Sequence, residues 1–226
     1  MAGAPRQLNQ FLAVTFPTAH GQCMTRPALL LDVDGVLNPY AAPANRRPGD
    51  YLTHRYPMPG HRRPLRVWLN PGHGQMLLAS TDRFDLTWAT TWQHAANDWI
   101  GPRIGLPKLP VITFDPVPPT PTTIPHAGPG VHWKTATVAR AMAGRFFVWI
   151  DDETTDADAA YLAARHTAGA AVYRIDPAVG LLAEDLTAIR AITKPGLYRG
   201  PTPSELRRRR RQAGPIPDSA TGPTIT

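Results

Sequence analysis

Ala-Leu-Leu-Leu-Asp-Val-Asp-Gly-Val-Leu-Asn, residues 28–38, is the stretch that decides the fold. Its apolar run ends in a turn, which is typical of a strand buried on both faces of a parallel sheet. Asp32 and Asp34 follow at the carboxyl end of that strand, where open α/β sheets bind their ligands. Both carboxylates face one site if the strand continues, whereas a turn at Gly35 would rotate Asp34 away. Two carboxylates so close repel each other and favour a cation between them.

Further apolar segments alternate with helical ones along the chain. Four more strands are predicted, at residues 84–89, 111–114, 146–150 and 171–175. Helices are predicted from Gln75 onwards, through residues 95–99, after Lys134, and over residues 155–167 and 181–192. Strands that alternate with helices indicate βαβ units. We therefore expect an α/β fold with a five-stranded parallel sheet flanked by helices.

Residues 39–69 are the region available for a cap over the site. Residues 51–56 alternate like a short strand, and the Pro-Met-Pro-Gly sequence at 57–60 leads into a second one at 65–69. This pattern predicts a small β-hairpin flap, with an irregular surface loop as the alternative. The region is too short for a large helical cap.

The ends of the chain differ in composition from its centre. Of the net charge of +7, residues 197–226 contribute +4 and residues 1–26 contribute +2, which leaves the centre nearly neutral. We expect a disordered N-terminal extension over 1–26, one folded domain over 27–196, and a disordered Arg/Pro-rich tail over 197–226. The arginine run Arg207–Arg211 predicts either contact with nucleic acid or a solubilising role.

Three features bear on where the protein acts. No apolar run reaches 18 residues, so the sequence predicts no transmembrane helix. The single cysteine, Cys23, excludes an internal disulfide and fits a reducing compartment. The N-terminus also lacks a basic region followed by an apolar one, so a signal peptide is not expected. We expect a cytoplasmic protein without membrane contact.

Polar residues fall at four separate strand ends or the loops beside them. Each is weak alone, because a threonine after a strand often caps a helix, a lysine at a helix start is ordinarily solvated, and paired acids often cap helices. Their order along the chain is more specific than any one of them. The set is Asp32 with Asp34, Thr90 or Thr91, Lys134, and Asp151 with Asp152.

This order resembles the four motifs of the haloacid-dehalogenase-like (HAD) superfamily of phosphohydrolases. The first motif matches residues 31–37, the second 86–90, the third 133–135 and the fourth 149–152, within a resemblance that spans 27–192. The Asp-Val-Asp-Gly-Val-Leu-Asn-Pro and Trp-Ala-Thr-Thr-Trp sequences are similar to a bacterial and phage branch that includes domains associated with RNA repair. The resemblance implies a Rossmann-like fold and a phosphate-transferring site.

The resemblance also implies a role for each motif residue. Asp32 would be the nucleophile that forms an aspartyl phosphate, and Asp34 the general acid and base. Thr90 would bind a phosphoryl oxygen, and Lys134 would neutralise the phosphate. Mg²⁺ would be held by Asp32, the main-chain carbonyl of Asp34 and a fourth-motif acid. That acid is Asp151, with Asp152 acting directly or through water and Asp156 as an alternative second acid.

Three functions remain open at this point. The first is a Mg²⁺-dependent phosphomonoester hydrolase, because true dehalogenases of the superfamily lack an acid at the position of Asp34. A small cap leaves the site open, which suits a polynucleotide-end phosphatase acting on RNA or DNA. The third is a non-catalytic module that keeps the fold and binds nucleic acid through its arginines. Trp92 or Trp133 would stack on a base near the site, although core packing is favoured for both.

Overall fold

A computed structural model describes residues 26–57, 62–115, 128–192 and 194–212. The predicted N-terminal extension, apart from Arg26, lies outside these ranges, as do residues 213–226 of the predicted tail. The side chains of residues 209–212 are likewise not described, so only Arg207 and Arg208 of the arginine run have described side chains, and both are exposed.

The central sheet has five parallel strands, as predicted. The strands are β1 (Ala28–Leu31), β4 (Asp85–Trp88), β5 (Phe147–Asp151), β6 (Ala170–Arg174) and β7 (Gly196–Arg199). Their order in the sheet is β4-β1-β5-β6-β7, so the strand that leads to Asp32 lies between two neighbours. Leu29 and Leu31 pack into one apolar cluster and Leu30 into another, which shows that β1 is buried on both faces.

Helices cover the sheet between the strands. A π-helix (Ala96–Ile100) continues directly into the short α2, where a helix was expected. Within the described ranges, no helix is both long enough and apolar enough to cross a membrane. The α-helices are α1 (His73–Leu78), α2 (Gly101–Ile104), α3 (Thr135–Ala141), α4 (Asp156–Arg165), α5 (Ala183–Arg190) and α6 (Pro203–Gln212).

The fifth strand of the sheet is not the one that the sequence indicates. Residues 111–114 were expected to form a strand, but only Val111 pairs with Trp88, in an isolated bridge. Pro110 has no N–H, so the ladder does not extend towards residue 109. In the other direction β4 ends at Trp88 and the chain turns at Thr90, whose carbonyl accepts the N–H of Gln93 at 3.1 Å, so residues 113 and 114 have no strand to pair with. The sheet is completed instead by β7, which adds to β6. Residue 197 was the predicted start of a disordered tail, whereas β7 and α6 together reach from 196 to 212.

The predicted β-hairpin is confirmed. Strands β2 (Leu52–Tyr56) and β3 (Leu65–Leu69) pair antiparallel as a separate two-stranded sheet. Its inner face contributes Tyr56, Val67 and Leu69 to the main core. The main-chain N–H of Trp68 donates to Oδ1 of Asn38 at 3.0 Å, which fixes the hairpin to the loop that follows β1.

Candidate active site

The loop after β1 turns sharply and places Asp32 at the edge of the sheet. The N–H of Asp32 continues the ladder to the Ile150 carbonyl at 3.1 Å, and its Oδ1 accepts the N–H of Val33 at 2.6 Å. Gly35 then takes a φ of +75°, and a Cβ there would lie 2.1 Å from Cγ of Asp152. Only glycine fits this position, because the backbone is left-handed and a carboxylate occupies the space.

A second set of acids follows β5, the neighbour of β1. Asp151 is fully buried, and its Oδ1 accepts the N–H of Glu153 at 2.9 Å. One carboxylate oxygen from each of Asp32, Asp151 and Asp152 lies within 4.8 Å of the others. Asp156, the alternative fourth-motif acid, is exposed on α4 and pairs with Arg199 at 3.6 Å. The carboxylates brought together are therefore those of Asp32, Asp151 and Asp152.

Lys134 joins the two sets of acids. Its side chain is buried, and Nζ pairs with Oδ2 of Asp32 and with Oδ2 of Asp151 at 2.9 Å. The start of α3 is held by Asp158, which accepts the N–H of His132 at 2.7 Å and the hydroxyl of Thr135. Because Asp158 lies on α4, two helices together position the ammonium group between the strand ends.

Burial and charge act in opposite directions on this cluster. Burial raises the pKa of the Asp32 carboxyl well above its usual range, although Lys134 lowers it. Burial also acts to lower the pKa of Lys134, but the Asp151 and Asp32 carboxylates more than offset it and raise that pKa. Burial and the charge of Asp151 raise the pKa of Asp152 to about 6. Burial therefore opposes ionisation of Asp32 and Asp152, and a further cation in the cluster would favour their ionised forms.

The donor set fits a divalent cation that prefers oxygen ligands. With all three carboxylates ionised, the single positive charge of Lys134 leaves a formal charge of −2. Mg²⁺ is held in proteins by one or two carboxylates together with water and phosphate oxygens. Asp32, Asp151 and Asp152 are the residues that would hold it. The side chain of Asp34 is not in this group, and the contribution of its main-chain carbonyl stays a prediction.

Asp34 is held by two donors rather than by the acid cluster. Its Oδ1 accepts Nδ2 of Asn38 at 2.8 Å, and its Oδ2 accepts Nε1 of Trp92 at 2.9 Å. Asp34 nevertheless lines the same cavity as Asp32, so the turn at Gly35 does not remove it from the site. The expectation that Trp92 stacks on a base or fills the core missed this hydrogen bond.

The two threonines after β4 take different places. Thr90 is fully buried, and its hydroxyl lies against the Asp32 carboxylate. The same hydroxyl accepts the N–H of Trp92 at 3.4 Å. Thr91 instead is exposed and lines the cavity. Thr90 therefore contacts the proposed nucleophile, and Thr91 borders the space open to substrate.

A cavity of about 520 Å³ opens above these groups. Beyond the predicted residues, it is lined by Asn38, Tyr40, Leu65, Arg66 and Glu153. The Tyr40 hydroxyl donates to Oδ2 of Asp152 at 3.1 Å. Sequence reasoning missed Tyr40 and Arg66 because no motif includes them. The predicted hairpin could have indicated Arg66, because a flap over the active site must direct some of its side chains towards that site.

One comparison with known proteins gives a match. A family model described as the HAD domain in Swiss Army Knife RNA repair proteins matches residues 28–186. That range includes all four predicted motifs, so the resemblance seen in the sequence is confirmed. Neither the curated proteins nor the solved structures contain a significant match to the chain. The chain belongs to the family of HAD domains found in Swiss Army Knife RNA repair proteins.

Proposed function

We propose that this protein is a Mg²⁺-dependent phosphomonoester hydrolase that forms an aspartyl phosphate on Asp32. The observation that carries the proposal is the position of Lys134, whose ammonium group bridges Asp32 and Asp151 beside an open cavity. Phosphoryl transfer depends mainly on positioning and on charge stabilisation, which such a cluster supplies. Membership of a HAD family supports a hydrolase of this type.

The residues divide the reaction between them. The Asp32 carboxylate attacks phosphorus, and the bond from phosphorus to the leaving oxygen breaks as Asp34 donates a proton to that oxygen. Asp34 then removes a proton from the water that attacks the aspartyl phosphate, which releases inorganic phosphate and restores Asp32. Lys134 and Thr90 stabilise negative charge beside Asp32, and bound Mg²⁺ would add its charge to the same task.

The proposed substrate is the phosphorylated end of an RNA strand. The family is described by its occurrence in RNA repair proteins, where terminal phosphates are a natural substrate for a phosphatase. The site supports this choice because, in the described part of the chain, the cap beside the cavity is a two-stranded hairpin and no helical cap is present, which leaves room for a long strand to enter. The three clustered acids argue against a non-catalytic binding module, because buried carboxylates are costly to keep together without a cation.

Phosphate release tests this proposal. The wild-type protein would be assayed on an aryl phosphate and on RNA oligonucleotides phosphorylated at the 5′ or 3′ end, with Mg²⁺ and with a chelator. We expect Mg²⁺-dependent release that Asp32→Asn abolishes. The matched control is Asp156→Asn, which makes the same chemical change at an exposed acid outside the cluster and should keep wild-type rates.

Two results would contradict the proposal. Wild-type rates in Asp32→Asn would remove Asp32 from the chemistry. Salt-sensitive RNA binding without release from any of the substrates would favour the non-catalytic alternative.

A further inference from the structure

The hairpin beside the site is strongly basic. Residues 46–66 contain six arginines and one acid, Asp50. Four residues lie together on its outer side, and we call them the basic strip: Arg47, Thr53, Arg55 and Arg66. Arg47 reaches Oγ1 of Thr53 with Nη1 at 3.4 Å, and Arg66 lines the cavity of the candidate active site. The strip therefore runs from the hairpin's outer side to the active site.

Arg55 and Arg66 face each other directly across the two strands. Directly opposed residues lie on the same face of the sheet, with Cβ atoms about 5 Å apart, and like charges there destabilise the pair. Neither arginine forms an ion pair with an acid in the part of the chain that the structure describes. Two directly opposed arginines that have no carboxylate partner among the described residues favour an anion from outside the chain.

The strip also offers a stacking surface. The guanidinium of Arg66 lies 3.9 Å from the ring centre of Trp68, and Nε1 of Trp68 donates to Oγ1 of Thr53 at 3.1 Å. Trp68 is itself buried, so Arg66 lies against a packed ring, and Arg66 also lines the cavity. A planar guanidinium held in this way can stack on a base as well as pair with a phosphate.

We infer that the basic strip binds the sugar–phosphate backbone of the nucleic-acid strand whose end occupies the active site. This inference rests on the proposed function and deepens it, because it names the surface that receives the rest of the substrate. Repeated phosphates match a row of arginines, and a base next to the reacting end can stack on Arg66. The strip replaces Arg207–Arg211 as the main contact with nucleic acid.

Binding of a short single-stranded RNA without a terminal phosphate tests the inference apart from catalysis. Fluorescence anisotropy would be measured over a series of salt concentrations for the full chain and for Arg55→Gln/Arg66→Gln. Each phosphate contact to a single strand contributes about 0.7 to the slope of log affinity against log salt. We expect the slope to fall by about 1.4 and the affinity to fall about 25-fold at about 0.1 M salt.

Two further double variants separate the strip from net charge. Arg83→Gln/Arg165→Gln makes the same charge change at exposed arginines that also lie over aromatic rings, and should bind as the wild type does. Arg207→Gln/Arg208→Gln tests the C-terminal arginines and should lower affinity less than the strip variant. Arg55→Gln alone keeps the Arg66–Trp68 contact, so a slope lower by about 0.7 supports the inference if the double variant fails to fold.

The inference would be overturned if the strip variants kept the wild-type affinity for RNA and the wild-type slope of log affinity against log salt. Binding of polyglutamate as tight as that of RNA would also overturn it, because the strip would then attract any polyanion. An equal or larger loss in the Arg207/Arg208 variant would overturn it as well. Loss of RNA binding in the strip variant supports the inference even where no phosphate is released, a result that would contradict the proposed hydrolase instead. If the protein releases phosphate but the strip variants bind RNA as the wild type does, the proposed hydrolase stands and the inference about the strip is contradicted.

Discussion

Nε1 of Trp92 donates a hydrogen bond of 2.9 Å to Oδ2 of Asp34, and this contact links the proposed acid–base residue to the hairpin. Trp92 packs edge-on against Tyr56 of β2, with ring centres 5.5 Å apart. On the other side, Asn38 joins Oδ1 of Asp34 to the main chain of Trp68 in β3. Both strands of the hairpin therefore help to orient one carboxylate.

Replacing Trp92 should lower the rate of the chemical step. Trp92→Phe keeps the ring but removes the N–H, so Asp34 loses one of the two donors that orient it. We expect kcat to fall by about 10- to 100-fold, part of what general acid–base catalysis contributes, with KM little changed.

The matched control for this prediction is Trp99→Phe. Trp99 stacks on Tyr56 with ring centres 5.0 Å apart and contacts Trp92, but it has no hydrogen bond to Asp34. It should keep the wild-type kcat. Equal losses in the two variants would show that aromatic packing, and not the hydrogen bond to Asp34, determines the rate.

Removing the charge of Lys134 should destabilise the fold when no metal is bound. Lys134→Met leaves two buried carboxylates without their cation, a change that typically costs about 3–5 kcal/mol of unfolding free energy. Urea denaturation in the presence of chelator measures it. Adding Asp32→Asn to this variant should recover part of the loss, because one buried negative charge is removed. A double variant less stable than Lys134→Met would contradict the charge argument.

Gly35→Ala should weaken metal binding in addition to straining the left-handed backbone at this position. A Cβ at residue 35 would lie 2.1 Å from Cγ of Asp152, so this carboxylate must move. We expect the Mg²⁺ concentration for half-maximal activity to rise by about 10- to 100-fold, as for other changes to groups that orient metal ligands. Titration of activity against Mg²⁺ measures the shift.

Gly144→Ala is the control for the glycine variant. Gly144 has nearly the same φ, +76°, but a Cβ there would meet nothing within 4 Å. It should lose only the roughly 1–2 kcal/mol of a left-handed backbone and keep its Mg²⁺ dependence. A similar rise in the Mg²⁺ requirement in both variants would mean that backbone strain, rather than the Asp152 contact, is responsible.

His73 should make the stability of the fold depend on pH. Its Nε2 lies 3.0 Å from the Leu181 carbonyl, and Nδ1 has no partner among the described residues, so the ring is buried in its neutral form. Burial lowers its pKa to about 4. Between about pH 4 and 6.5 the unfolded chain binds an extra proton at this histidine, so His73 contributes a rise in the unfolding free energy with pH. The raised pKa values of Asp32 and Asp152 contribute in the opposite direction.

The full effect of His73 is about 3 kcal/mol between these limits. Urea denaturation over pH 4–7 would measure it for the wild type and for His73→Gln, which keeps a donor for the Leu181 carbonyl but does not titrate. The slope over this range should be smaller in His73→Gln. His94→Gln, a change at an exposed histidine, should retain the wild-type slope. An unchanged slope in His73→Gln would assign the pH dependence to other groups.

The parts of the site that follow strands could be predicted from the sequence, and the parts that depend on tertiary contacts could not. Asp32 and Asp151 end long apolar runs, so local patterning places both at the same edge of the sheet. Tyr40 and Trp92 reach the site through contacts with residues 112 and 58 positions away, which no local pattern encodes.

The same limit applies to the edge of the sheet. The strand Gly196–Arg199 lies between Pro195 and Pro201 and has only four residues, which are too few to show the alternation of a strand. Its pairing with β6 forms only in the folded chain. The apolar residues 111–114 show the opposite error, because their composition favours a strand while β4 ends at Trp88 and leaves residues 113 and 114 without a strand to pair with.

Transfer of phosphate to Asp32 is the central claim, and a labelled intermediate tests it most directly. The protein would be mixed with an RNA oligonucleotide that carries a labelled terminal phosphate, quenched in acid during turnover and digested into peptides. The account predicts that the label is bound covalently to the peptide that contains Asp32, and is absent from Asp32→Asn. Phosphate release by the wild-type protein with no label on this peptide at any time of quenching would contradict it.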